Sequence, residues 1–246
     1  MNAKYMAVFA AAIMLAGCTV LLVNADDADV DADSTVSKTV YVLVGETAEV
    51  EIKTTESALG NYKNTVSWSI PKGDTSPQNI SDIATVYYTG DSKATYTLHF
   101  YGVKEGASSY TITYTVETNV TGKDQNDLTQ TITYNFQINV LPSSFEATVE
   151  GTATNHQAVK NGLTIDYEGI TQGNYYFYAI GLPEGLAMNT DGKIHGTPNV
   201  DSSEFSSVDS SKVYKVTIVA THIASNLTIS YTVAVSYTHL TLPTIR

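Results

Sequence analysis

GLPEGLAMNTDGKIHGTP, residues 181–198, sets four glycines and two prolines around two short apolar segments. Leu182-Pro183-Glu184-Gly185 suits a type I turn, with Pro second and Gly fourth. Leu186 and Met188 then share one face of a strand. Asn189-Thr190-Asp191-Gly192 is a hairpin signal, because Asp-Gly accepts positive φ. Ile194 returns to the same apolar face, and Gly196-Thr197-Pro198 ends the strand. Every unusual residue has a backbone reason and none requires a ligand. The stretch therefore reads as part of an all-β framework.

The same grammar runs outward in both directions. Downstream, VYKVTIVATH and NLTISYTVA read as a hairpin joined near Ile223 to Asn226. Upstream lie SFEATVEG, GLTIDYEG and NYYFYAI. Leu141-Pro142-Ser143-Ser144 breaks the pattern, since proline cannot donate to a strand ladder, and marks a domain boundary. Before it, apolar and polar residues alternate with period two, the mark of a half-buried strand. Val40, Val42 and Val44 share a face, as do Ala48, Val50 and Ile52. Tyr96, Leu98 and Phe100 form another set, then Tyr110, Ile112, Tyr114 and Val116, and then Ile132, Tyr134, Phe136, Ile138 and Val140. The intervening residues are mostly Thr, Asn and Gln, as in sheets with one wet side. Gly, Asn and Asp clusters separate the strands, and no convincing amphipathic helix follows residue 34.

Composition agrees. Of 246 residues, 43% are hydrophobic and only 15% charged, with 17 tyrosines. Threonine and tyrosine pack well on a pleated surface. The net charge of −12 repels phosphate backbones and anionic lipid, which excludes nucleic acid as a natural partner. One cysteine, Cys18, allows no intramolecular disulfide, so each domain stands on core burial.

The ends read differently from the middle. Lys4, the apolar run Met6 to Val23 and the small-residue exit Val23-Asn24-Ala25 make an export signal. Three fates are open: cleavage after Ala25, lipid attachment at Cys18 within a lipobox-like Leu15-Ala16-Gly17-Cys18, or retention as an anchor with the acidic side outside. All three place residues 26 onward outside the cytoplasm. The acidic run DDADVDAD, residues 26–33, puts Asp29, Asp31 and Asp33 at the first, third and fifth places of a calcium loop. The required glycine and terminal glutamate are replaced by Ser34 and Val40, so a solvated spacer is the reading. At the far end, VSYTHLTLPT, residues 235–244, resembles the translation of a transposase adapter from a sequencing library. Residues from about 235 are accordingly expected to be foreign to the chain and outside the fold, with the natural sequence truncated near Ala234.

Two resemblances follow. VLVGETAEVEI followed by Trp68 in TVSWSI resembles the first half of an immunoglobulin-like domain, with Ile52 where a disulfide cysteine would stand. The run L-P-x-G-L, an Asp-Gly turn and K-I-H-G-T-P, within residues 143–234, resembles the immunoglobulin-like modules of bacterial and archaeal surface proteins. Those modules are similar to the cadherin-like modules of dystroglycan type. The resemblance implies a β-sandwich repeated in secreted or cell-surface, often adhesin-like, chains; no cadherin calcium motif accompanies it. The expected architecture is all-β: a signal or anchor (1–25), an acidic linker (26–38), an immunoglobulin-like sandwich (39–142), a cadherin-like sandwich (143–234) and a non-native tail (235–246).

The candidate sites are few. His99, His156, His195 and His222 lie far apart, as surface or strand-edge residues, and no nucleophile-elbow, zinc-protease, dinucleotide or phosphate-loop motif occurs. No catalytic residue, metal ligand or cofactor is expected. Tyr87-Tyr88 and Tyr175-Tyr176-Phe177-Tyr178 each put aromatics on both faces of a strand. One face is core; the other is a candidate platform for a sugar or protein partner, with Tyr175, Tyr176 and Tyr178 as its residues. Asn79, Asn119 and Asn226 head glycosylation sequons, usable only in a host that glycosylates. The function expected is that of a non-catalytic structural or adhesion protein. The alternatives are a carbohydrate-binding module, or accessory domains of a truncated larger secreted enzyme. A partner would be an extracellular protein or glycan. The membrane enters only through the N-terminal segment or a missing C-terminal anchor.

Overall fold

The computed structural model describes residues 23–24, 34–53, 63–68, 77–91, 95–119, 128–151, 153–159, 163–199 and 211–238. Cys18 and the aspartates of residues 26–33 lie outside them. The chain divides into two compact units, split between Leu141 and Pro142.

The first unit contains β1 (Val23–Asn24), β2 (Ser34–Leu43), β3 (Thr47–Lys53), β4 (Lys63–Trp68), β5 (Gln78–Asn79), β6 (Ala84–Asp91), β7 (Thr95–Gly102), β8 (Gly106–Asn119) and β9 (Leu128–Leu141). One sheet has the order β1-β3-β7-β6-β5 and the other β2-β9-β8-β4. Pairing is antiparallel in both, except that β1 runs parallel to β3 and β2 parallel to β9. With β3, β7 and β6 in one layer and β9, β8 and β4 in the other, this is the strand distribution of an immunoglobulin-like sandwich. β2 starts at Ser34, within the stretch read as linker, because its pairing with β9 extends the ladder early: Ser34 faces Ile132 and Lys38 faces Phe136.

The alternating apolar residues close on one core. Val40, Val50, Ile52, Leu98, Phe100, Ile112 and Ile138 are fully buried. Phe100 of β7 and Phe136 of β9, on opposite sheets, lie 5.3 Å apart ring to ring. Truncating either ring would cost about 3–5 kcal/mol, as lost transfer energy plus a cavity. Ile52 and Ile112 stand on β3 and β8, the strands that antibody domains join by a disulfide. Aliphatic packing takes that place here.

The second unit contains β10 (Glu146–Glu150), β11 (Ala153–Thr154), β12 (Thr164–Glu168), a single 3-10 turn (Gln172–Asn174), β13 (Tyr175–Ile180), β14 (Leu186–Met188), β15 (Ile194–Gly196), β16 (Ser211–His222) and β17 (Thr228–Thr238). The larger sheet has the order β11-β17-β16-β13, beside the pairs β10-β12 and β14-β15. A bridge from Leu163 to Ile194 links those two pairs. Aromatic rings fill the space between layers: Phe145 lies 5.9 Å from Tyr231, and Tyr167 lies 4.5 Å from Phe177.

One boundary differs from expectation. The exclusion of residues from about 235 does not hold for the first four of them. Val235 and Tyr237 are fully buried, and β17 pairs with β16 up to Thr238 opposite Ser211. The physical reason is phase: Val235 and Tyr237 continue the period-two set of Ile229, Tyr231 and Val233, so the strand runs on without a break.

Candidate functional site

The opening motif is a brace. Its first turn falls one residue later than expected: the Leu186 N–H donates to the Pro183 carbonyl at 3.1 Å. That puts Gly185, at φ 84°, in the third place, where a type II turn needs positive φ. The second turn closes with the Gly192 N–H on the Asn189 carbonyl at 2.9 Å. Tyr167 donates its hydroxyl to the Gly192 carbonyl at 2.8 Å. A side chain on Gly185 would overlap the Thr197 carbonyl oxygen, and one on Gly196 would overlap that of Gly185. The Asn199 N–H reaches the Glu184 carbonyl at 2.9 Å, and the His156 N–H reaches that of Pro198 at 3.0 Å. The glycines permit this close backbone approach.

The tyrosine run splits by strand alternation. Tyr175 and Phe177 are buried; Tyr175 packs edge-on to His222 at 5.3 Å. Tyr175 thus leaves the candidate platform and belongs to the core. On the other face, Tyr176 is 55% exposed and Ile180 48%, opposite Thr221 and Thr217 of β16. Tyr178 lies between them, opposite the buried Val219. Its hydroxyl is buried and finds no hydrogen-bond partner among the described residues, and burial raises its pKa. Val213 adds a further exposed apolar side chain to this sheet at 56%. The face can offer Tyr176 for stacking and apolar contact.

Two histidines are buried, contrary to their reading as surface or edge residues. His99 stands mid-sheet on β7, 9% exposed. Its Nε2 lies 2.7 Å from the Thr89 hydroxyl, and Tyr87 stacks on its ring at 4.4 Å and 3°. Nδ1 lies 3.2 Å from a Glu49 carboxylate oxygen, an ion-pair distance that lacks hydrogen-bond alignment. Carboxylate, imidazole and hydroxyl stand in the order of a proton relay. However, the ring is sealed between Tyr87 and its neighbours, so the arrangement packs a polar side chain into a wet sheet face. The signal was available: Glu49, Tyr87 and His99 are register partners across three strands, but register is not legible before pairing is known. His222, at the end of β16, meets the Ser225 hydroxyl through Nδ1 at 3.0 Å, and burial lowers its pKa. His156 and His195 are exposed.

Asn79 is exposed on β5, and Asn226 is exposed in the β16–β17 turn at φ 59°. Asn119 closes β8. Among the described residues no group of three or more His, Cys, Asp or Glu side chains is gathered to hold a metal, and no helix is long and apolar enough to cross a membrane.

A third surface lies on the first unit. Ser37, Thr39, Ser109, Thr111, Asn135 and Gln137 line a groove of about 390 Å³ on the outer side of β2, β9 and β8.

No family model matches the chain, and no curated protein matches it. Among solved structures it is similar to the first two immunoglobulin domains of DIP-gamma, at 10% identity and a TM-score of 0.30, covering 83% of this chain and 95% of that one. It is similar to cadherin-like domains 1 to 4 of zebrafish RET at 13% identity and 0.30, covering 85% and 50%, so it spans about half of that chain. It is also similar to PbICP-C, solved in complex with falcipain-2, at 12% identity and 0.30, covering 48% and 98%. The chain's own sheets show an all-β, immunoglobulin-like fold.

Proposed function

We propose that the chain is a non-catalytic protein of the cell exterior, secreted or surface-held, whose immunoglobulin-like modules serve a structural or adhesive role. The observation that carries this reading is where its unusual residues go. The glycines and prolines of residues 181–198 brace backbone, and the buried histidines satisfy packing and hydroxyl contacts. Among the described residues, a field of Thr, Ser, Asn and Gln is turned to solvent on one unit and a tyrosine-bearing face on the other. The export-signal pattern of residues 4–25, read from the sequence, supports the same location.

The test is fractionation of cells making the full chain, followed by binding of the purified protein to intact cells and extracellular matrix. Export with saturable binding supports the reading. Cytoplasmic retention, or export with no binding to any such surface, removes it. A second reading, carbohydrate binding through the second unit, is favoured by the exposure of Tyr176. Loss of glycan binding in Tyr176→Ala would assign it there.

A further inference from the structure

We infer that the outer groove of the β2-β9-β8 sheet is a binding site for a neutral, polyhydroxylated ligand, namely a glycan chain without carboxylate or sulfate groups. The inference deepens the adhesive reading above and rests on it.

The register builds the site. Ser37 stands opposite Asn135, and Thr39 opposite Gln137. On the other side of β9, Asn135 faces Thr111 and Gln137 faces Ser109. Two rows of three polar side chains therefore cross the sheet, Ser37-Asn135-Thr111 and Thr39-Gln137-Ser109. Strands lie about 4.8 Å apart and same-face residues about 6.7 Å apart along a strand, so the six form a small two-dimensional field. All are exposed except the half-buried Asn135. The Thr111 hydroxyl donates to the Asn135 side-chain carbonyl at 2.9 Å, which leaves the amide NH2 as the donor end of that side chain. The groove holds about 390 Å³, at the lower end of the range of small-ligand sites. Tyr41 follows Thr39 on the same face of β2, opposite Asn139.

The chemistry of the lining narrows the occupant. Hydroxyls and carboxamides both donate and accept, and a sugar ring presents hydroxyls that do the same around its rim. The lining has no carboxylate with which to hold a metal. Its single cation is Lys38, too little for a phosphate backbone or a sulfated polymer, and the chain's net charge of −12 opposes both. A protein partner would favour aromatic and arginine anchors, with serine depleted; these two rows hold neither anchor. A neutral polyol is what remains.

The experiment is titration calorimetry of the full chain with laminarin, soluble mannan and cellohexaose, and with polygalacturonate as an anionic comparison. At least one neutral glycan should bind, and polygalacturonate should bind more weakly. The double variant Thr111→Val and Gln137→Ala should weaken binding roughly tenfold or more, one neutral hydrogen bond being worth up to about that factor. Thr39→Val, which keeps the branched shape that strands favour, is the second variant and should weaken binding while leaving the unfolding temperature unchanged. Tyr176→Ala should bind as the parent does. Binding that survives both groove variants, or is lost in Tyr176→Ala alone, overturns the site. So does preference for polygalacturonate, or no binding to any of the three neutral glycans. In that last case, cell binding by the same protein sinks the groove and leaves the adhesive reading standing, whereas no cell binding sinks both.

Discussion

The Tyr237 hydroxyl donates to the Asn155 side-chain carbonyl at 2.9 Å, across 82 positions of sequence, with both residues buried. The bond ties the last turn of the β17 ladder to the segment following β11, which itself pairs parallel with β17 at Ala153 and Tyr237. Tyr237→Phe removes the donor and breaks this buried bond, so the second unit should lose about 1–2 kcal/mol. Tyr178→Phe is the contrast. That hydroxyl is buried with no partner among the described residues, so its removal should leave stability unchanged or raise it by up to about 1 kcal/mol. Chemical denaturation of both variants checks the pair.

Deleting residues 235–246 should be far more damaging, because Val235 and Tyr237 are both fully buried. A loss of more than about 3 kcal/mol is expected. If the residues from 235 are foreign, the natural continuation should carry apolar side chains at the same two places. Sequencing the native locus past codon 234 checks it.

Tyr237 also sets an alkaline limit. Burial pushes its pKa from 10.0 up to about 12, with Tyr214 adding repulsion against the phenolate. The folded unit holds this proton more tightly than the unfolded chain does. The contribution is therefore complete below pH 10 and is lost as pH rises towards 12, by about 2–3 kcal/mol. Denaturant midpoints measured across that window should fall, and Tyr237→Phe should flatten the fall.

His222 sets an acid limit. Burial holds its imidazole below the usual 6.5, so the neutral form is the one the fold favours. Its contribution is present above pH 6.5 and is lost as pH drops through the lowered value. The second unit should soften on mild acidification, and His222→Gln should be less sensitive. Ser225→Ala should cost about 1–3 kcal/mol, since that hydroxyl meets both His222 Nδ1 at 3.0 Å and the Leu227 N–H at 3.3 Å.

Gly196→Ala is expected to cost about 3 kcal/mol or more. The position has φ 119°, and an added methyl would strike the Gly185 backbone, so strain and overlap act together. Thermal unfolding of Gly196→Ala beside Gly173→Ala, where added atoms meet nothing within 4 Å, separates this from a general effect of losing glycine.

The strand faces were legible because burial follows period two over residues 134–140 of β9: Tyr134, Phe136, Ile138 and Val140 are all buried. The brace at 181–198 is legible as backbone chemistry, although its first turn closes one residue later than Pro183 in the second place implies. Other features depend on information that only pairing supplies. The Glu49, His99 and Tyr87 cluster forms across three strands that are distant in sequence. Alternation puts Tyr175 and Tyr176 on opposite faces, but only the packed structure shows which of them is core. The polar groove was invisible for the same reason, since a solvated Thr/Asn face and a concave one have the same alternation. The strand end at Thr238 follows from phase, since Val235 and Tyr237 continue the apolar set of Ile229, Tyr231 and Val233.

The most direct test of the central claim is saturable binding of the purified full chain to intact cells and matrix, measured by flow cytometry and repeated with laminarin, mannan and cellohexaose as competitors. A non-catalytic adhesive module should bind saturably, show no turnover of the competitor glycans, and lose binding when a glycan that fills the groove is added. Absence of binding to any surface, or chemical conversion of a competitor, would contradict the account.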